Sequence, residues 1–107
     1  MILKATHNLT TREITEDEAW ETLDWFVGCF RRHGIDQVVL IYGYDWDLGE
    51  KTWKDQVVDV ADVRDHIKAA ESEELGWLGY DDLYIKINEV VQIHYCHHEE
   101  LHLNYDE

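Results

Sequence analysis

The last quarter of the chain alternates apolar and polar residues with a period of two, and this alternation constrains the fold more than any other feature. Neighbouring side chains of a β-strand point to opposite faces of a sheet, so the pattern predicts strands with one buried face. A connecting loop of three residues sets Ile85 opposite Ile93, whereas a two-residue loop would set it opposite Gln92. We therefore place the first loop of this region at residues 88–90. The apolar face of the first strand is then formed by Leu83, Ile85 and Ile87.

The same reasoning predicts a third strand after a loop at residues 96–100. It sets Tyr95 opposite Leu101 on the apolar face and continues that pairing to the end of the strand. On the other face, His94 and His102 then lie directly across from each other. The chain is predicted to end in a three-stranded antiparallel meander with one apolar face.

Two segments have the period of an amphipathic helix and are predicted to cover that face. The first begins at a capping box formed by Thr15 and Glu18 and ends at Gly34. The second, residues 59–75, carries an apolar stripe and is predicted to be closed by one of the two glycines that follow it.

Three further strands are predicted upstream of the meander. Residues 37–43 are a continuous apolar run rich in β-branched residues, which indicates a strand buried on both faces. Residues 1–9 are predicted to form an edge strand, and a short strand is predicted just before the second helix. The sequence therefore predicts one α+β domain over residues 1–107. Its two amphipathic helices pack on one face of a mostly antiparallel sheet of about four to six strands.

The formal net charge is −15, from 24 acidic and 9 basic residues. Such a surface repels nucleic acids and anionic membranes, and it favours a basic protein partner. No apolar run approaches the roughly 20 residues that cross a bilayer, and the N-terminus lacks the pattern of a signal peptide. We expect a cytoplasmic protein whose two cysteines stay reduced.

Aromatic and acidic side chains alternate in the segment YDWDLGEKTW, residues 44–53. This composition is typical of surfaces that bind Arg or Lys on another protein, although five tryptophans in so small a domain also require some rings in the core. A second acidic patch is expected in the C-terminal hairpin. The predicted partner-binding residues are Asp45, Trp46, Asp47, Trp53, Glu99 and Glu100.

The segment IHYCHHEELHL, residues 93–103, contains four histidines and one cysteine. Side chains directly opposite on neighbouring strands have Cβ atoms roughly 4.5–5.5 Å apart, a spacing that suits two imidazoles on one metal ion. Nitrogen and sulfur donors are the ligands that zinc prefers. The alternative is an exposed sheet surface, because neither a C-x-x-C nor an H-E-x-x-H spacing occurs. The candidate zinc ligands are His94, Cys96, His98 and His102.

In size, charge and composition the chain resembles bacterial toxin-immunity proteins, many of which cover the positively charged active site of a nuclease toxin. The resemblance implies a non-enzymatic inhibitor of a basic protein; it rests on no motif and transfers no residue. No signature of nucleophilic catalysis or phosphate binding occurs, so no enzyme activity is predicted. Two alternatives stay open: a zinc protein that uses the C-terminal cluster, and a homodimer in which the last strand, LHLNY, pairs with its copy through an exposed edge.

Overall fold

The computed structural model describes residues 7–44, 46–89 and 91–105. The strands are β1 (His7–Glu13), β2 (Gln37–Tyr42), β3 (Gln56–Asp59), β4 (Leu83–Lys86), β5 (Val91–Tyr95) and β6 (Glu100–Tyr105), and the helices are α1 (Glu16–Arg32) and α2 (Val63–Ser72). The strands form one antiparallel sheet in the order β1-β6-β5-β4-β2-β3. The predicted α+β architecture is confirmed.

The C-terminal meander has the predicted register. Ile85 pairs with Ile93, and Tyr95 pairs with Leu101. On the opposite face, His94 pairs with His102. A shift by one residue would have moved the whole apolar set to the other side of the sheet, which is why the alternation was sufficient to predict this pairing.

The edges of the sheet differ from the prediction for the last strand. Strand β6 lies between β5 and β1, with Leu103 opposite Leu9 and His102 opposite Thr10. The edge strands are β1 and β3, so the prediction that LHLNY forms an exposed edge is wrong. Strand β1 is an edge strand as predicted, from His7 onward; the expected strand positions 1–6 lie outside the described residues.

Helix α1 begins and ends as its sequence predicts. Thr15 Oγ1 accepts a hydrogen bond from the Glu18 N–H, and the Thr15 N–H donates to Glu18 Oε1, each at 3.1 Å. At the other end, Gly34 has φ of +73°, and the Ile35 N–H donates to the Phe30 carbonyl at 2.9 Å. A left-handed glycine with this bond closes the last turn and satisfies a carbonyl that would otherwise lack a partner.

Helix α2 ends earlier than predicted, and a glutamate rather than a glycine ends it. Glu74 has φ of +58°, and the Leu75 N–H donates to the Ala70 carbonyl at 3.1 Å. The glycines that follow do not close the helix. Gly76 instead packs against the Trp46 ring, where any Cβ would overlap the ring carbons.

Both helices cover one face of the sheet and form the hydrophobic core with it. The fully buried aromatic residues of this core are Tyr42 and Tyr95, on β2 and β5. We call the opposite side of the sheet the outer face. The core combines helix and strand side chains, among them Ala19, Leu23, Leu40, Val63, Ile67, Leu83, Ile85 and Ile93.

Candidate functional site

A row of ring side chains crosses the outer face of the meander. The rings of Tyr84 and His94 stack with centroids 4.0 Å apart, and those of His94 and His102 with centroids 5.3 Å apart. The row continues onto β1, where Thr10 Oγ1 lies 2.8 Å from His102 Nδ1. The predicted pairing of His94 and His102 therefore forms part of a row that spans four strands.

Asp82, the residue before β4, is a buried carboxylate at the end of this row. Its Oδ1 accepts hydrogen bonds from His94 Nε2 at 3.2 Å and from the His97 backbone N–H at 2.8 Å. His97 Nδ1 lies 3.1 Å from the same oxygen. One buried acid thus fixes the positions of two histidines and joins β4 to the β5–β6 loop.

Burial keeps two rings of this row, those of His94 and Tyr84, neutral. It lowers the pKa of His94 below the usual histidine value, and the Asp82 carboxylate opposes this effect without reversing it. Burial and the Asp82 carboxylate raise the pKa of Tyr84 to about 12. At neutral pH, His94 is therefore an uncharged ring between Tyr84 and His102.

The loop between β5 and β6 places further donors beside this row. The Cys96 N–H donates to the Glu100 carbonyl at 2.9 Å, and the Glu99 N–H donates to the Cys96 carbonyl at 3.0 Å. Glu99 has φ of +64°. A turn followed by a left-handed residue is a common form of three-residue hairpin loop, in which glycine usually takes the left-handed position. This loop sets Cys96 across from Glu100.

The structure brings together a different set of metal-binding donors from the predicted one. One ligand atom each from Cys96, Glu100 and His102 lies within 4.8 Å of the other two. Of the remaining predicted ligands, His94 directs Nε2 to Asp82, and His98 is exposed. The sequence predicts Glu100 to be a partner-binding residue instead.

Three loops meet at the end of the sheet that also holds Asp82. Residues 43–55 and residues 73–82 are joined by backbone hydrogen bonds from Gly43 N–H to the Asp82 carbonyl at 2.8 Å and from Asp47 N–H to the Leu75 carbonyl at 2.7 Å. Asp82 joins the third loop, residues 96–99, through its bond to the His97 N–H. These connections give the loops fixed relative positions.

Four aromatic side chains on the first two loops are exposed, and we call them the aromatic rim. Tyr44 is 55% exposed, Trp53 50%, and Trp77 and Tyr80 44% each. Tyr44 also contacts His97, with ring centroids 5.1 Å apart. Of these four residues, only Trp53 is among those predicted from the sequence to bind a partner. The segment GWLGY, in which two glycines bracket the tryptophan, could have indicated an exposed loop.

The other predicted partner-binding residues lie in different environments. Trp46 is only 3% exposed and packs edge-on against Tyr42 in the core, with ring centroids 4.8 Å apart, so it is not a surface residue. Asp47 is exposed, and Asp45 lies outside the described residues. Glu99 and Glu100 are half-buried.

No protein-family model, curated protein or solved structure matches the chain. Neither α1 nor α2, the α-helices of the described residues, is both long and apolar enough to cross a membrane.

Proposed function

We propose that the protein is a non-enzymatic binding protein that recognises a basic protein partner through the aromatic rim. The observation that supports this most is the exposure of four large aromatic side chains on loops joined at one end of the sheet. Tyrosine and tryptophan dominate the residues that contribute most to protein–protein affinity. The exposure of four such rings on loops that are hydrogen-bonded to each other therefore supports a binding role for this end of the sheet.

The loops that carry the rim are held in place before any partner arrives. The Trp53 ring lies over Gly43, where a Cβ would come within 2.8 Å of it, and the main-chain N–H of Trp53 donates to the Tyr42 carbonyl at 2.7 Å. The backbone at Trp77 is fixed by a hydrogen bond from its main-chain N–H to Asp81 Oδ2 at 2.8 Å. Ordering side chains on binding costs roughly 0.5–1.5 kcal/mol for each one, so a ring that is already packed, as that of Trp53 is, retains more of its contact energy.

The negative charge of the molecule favours a cationic partner. Asp47 is exposed on the loop that also carries Tyr44 and Trp53, and the whole chain has a net charge of −15. A negative potential of this size accelerates encounter with cationic surfaces and opposes binding to anionic ones. A basic protein, such as a nuclease with a cationic active site, is the partner class that fits both the rings and the charge, and the chain would then act as its inhibitor.

The experiment is an affinity comparison on a panel of basic nucleases, measured by biolayer interferometry with immobilised protein. Trp77→Ala tests the rim, and Trp25→Ala is a matched control because Trp25 is 62% exposed and belongs to α1 rather than to one of the three loops. Removing a central aromatic contact costs about 2 kcal/mol or more, which is a loss of about 30-fold in affinity. We expect that loss for Trp77→Ala and unchanged affinity for Trp25→Ala.

Two results would contradict the proposal. If Trp77→Ala binds as tightly as the unmodified chain does, the rim is not the binding surface and the attraction between charges is sufficient for binding. If no basic nuclease binds the unmodified chain, the partner class is wrong. Circular dichroism spectra and melting temperatures of both variants establish that the fold is intact.

A further inference from the structure

We propose that Cys96, Glu100 and His102 form a binding site for zinc or a similar divalent transition-metal ion. Their ligand atoms already lie within 4.8 Å of one another. Zinc takes sulfur at about 2.3 Å and nitrogen or oxygen at about 2.0–2.2 Å, so the atoms of a tetrahedral site must approach to roughly 3.3–3.7 Å. Glu100 can supply most of this movement because its side chain is 34% exposed.

The backbone holds the three donors on paired strand ends. Cys96 and Glu100 lie across from each other, joined by the hydrogen bond from the Cys96 N–H to the Glu100 carbonyl at 2.9 Å. Glu100 and His102 are two residues apart on β6, so they share one face of the strand. Sites supported by strands are held more accurately than sites on free loops.

The two nitrogens of His102 have different environments. Nδ1 lies 2.8 Å from Thr10 Oγ1, and Nε2 lies 3.9 Å from Glu100 Oε1. Metal-binding histidines almost always have their second nitrogen held by a hydrogen bond, which fixes the tautomer and the ring orientation. Thr10 supplies that bond from β1 and leaves Nε2 directed towards the other donors.

The donor types select the metal. Thiolate and imidazole favour zinc over magnesium and calcium, which take oxygen donors almost exclusively. A thiolate and a carboxylate also balance the charge of a divalent ion. Three protein ligands leave a fourth position for water or for an external ligand. His94 is not a ligand here, because Asp82 binds its Nε2; its ring instead stacks on His102 and restricts that ring's movement.

The experiment is a metal titration of the chain without an affinity tag. Isothermal calorimetry with Zn²⁺ at neutral pH is expected to show one site with submicromolar affinity. Titration with Co²⁺ is expected to produce a sulfur-to-cobalt charge-transfer band in the near ultraviolet, which identifies Cys96 as a ligand. Since the folded chain binds the metal, zinc should also raise the melting temperature.

Variants separate this site from the other imidazoles of the loop. Cys96→Ser, Glu100→Gln and His102→Asn are each expected to lower zinc affinity by more than about 100-fold, and Thr10→Val by about 10- to 100-fold through loss of the bond to His102. His98→Ala is the matched control and should bind as the unmodified chain does, because His98 is exposed outside the donor set.

Three outcomes would overturn the proposal. The first is only millimolar binding to the unmodified chain. The second is a cobalt spectrum unchanged in Cys96→Ser. The third is a loss in His98→Ala as large as that in His102→Asn. Glu100→Gln preserves the size of a half-buried side chain, so it tests the site even if the change at buried Cys96 unfolds the protein. Melting curves without metal verify the fold of each variant.

Discussion

Glu71 and Asp82 are buried carboxylates, and a backbone amide binds each of them. Asp82 also receives His94 and His97, so several donors compensate its burial. Glu71 has one such bond, from the Leu78 N–H to its Oε2 at 2.9 Å. Burial consequently dominates at Glu71 and raises its pKa above the usual value of 4.5.

The raised pKa of Glu71 predicts how the stability of the protein depends on pH. The folded chain keeps the Glu71 proton to a higher pH than the unfolded chain, so the favourable contribution is complete below about pH 4.5 and is lost as the pH rises through the folded-state pKa. Glu71→Gln removes the ionisation and keeps an acceptor for Leu78. Between about pH 4 and pH 7, we expect the free energy of unfolding of Glu71→Gln to rise progressively relative to that of the unmodified chain.

Urea denaturation at several pH values measures this difference. Glu73→Gln, at an exposed position of the same helix end, is the control and should show no comparable change with pH. Glu71→Gln and the unmodified chain could instead differ in free energy of unfolding by the same amount from pH 4 to pH 7. That result would contradict the conclusion that burial raises the pKa of Glu71.

At the level of secondary structure, the ends of the two helices are closed in the same way by different residues. Gly34 ends α1 with φ of +73°, and Glu74 ends α2 with φ of +58°. A residue with a Cβ is strained in the left-handed region by roughly 1–2 kcal/mol, whereas glycine is not. The end of α2 therefore stores strain that the end of α1 avoids.

Replacing Glu74 by glycine should remove this strain. Because glycine also gains freedom in the unfolded chain, we expect a net stabilisation of up to about 1 kcal/mol. Thermal and urea unfolding measure it. Glu73→Gly is the matched control: Glu73 has φ of −90°, so glycine relieves nothing there and should destabilise the protein. Equal effects of the two changes would disprove the assignment of strain to Glu74.

How much of the fold and of the site can be predicted depends on how far apart in the sequence the interacting residues are. The register of the meander was predictable because alternation specifies which residues face the core. The place of β1 beside β6 was not, since Thr10 and His102 are 92 residues apart and no local pattern relates them. Of the proposed metal donors, Cys96 and His102 are predicted from the sequence and Glu100 is not. The loop that sets Glu100 across from Cys96 depends on the left-handed conformation of Glu99, which no local pattern predicts.

Burial of individual aromatic rings was also beyond local reasoning. Trp46 and Trp53 lie in the same loop with similar neighbours, yet Trp46 is 3% and Trp53 50% exposed. The difference arises from Gly76, whose missing side chain leaves room for the Trp46 ring. That contact joins two loops that are distant in the sequence.

At the scale of the whole molecule, net charge and local charge should affect partner binding differently. Asp47→Lys and Glu21→Lys change the net charge equally, but Asp47 is exposed on a loop that carries two residues of the aromatic rim, and Glu21 is exposed on α1. Near a basic partner, the change at Asp47 should slow association by several-fold at low salt and flatten the dependence of the association rate on salt.

Stopped-flow association with a nuclease bound in the affinity panel measures these rates. The Glu21 variant reports the effect of net charge alone and should slow association much less. If the two variants slow association equally, the partner approaches by overall charge and the rim is not its docking site.

The position of β1 has a consequence for the order of folding. His7 pairs with Tyr105, so the first and last described residues lie side by side, and β1 contacts the sheet only through β6. Its pairing closes the longest loop in the sheet, and long-range contacts slow folding. We expect β1 to join last. A circular permutant that connects the present termini and opens the chain after Gly34 makes the β1–β6 pairing local. It should refold faster than the natural order while unfolding at a similar rate, and stopped-flow refolding kinetics would show whether β1 is the late step.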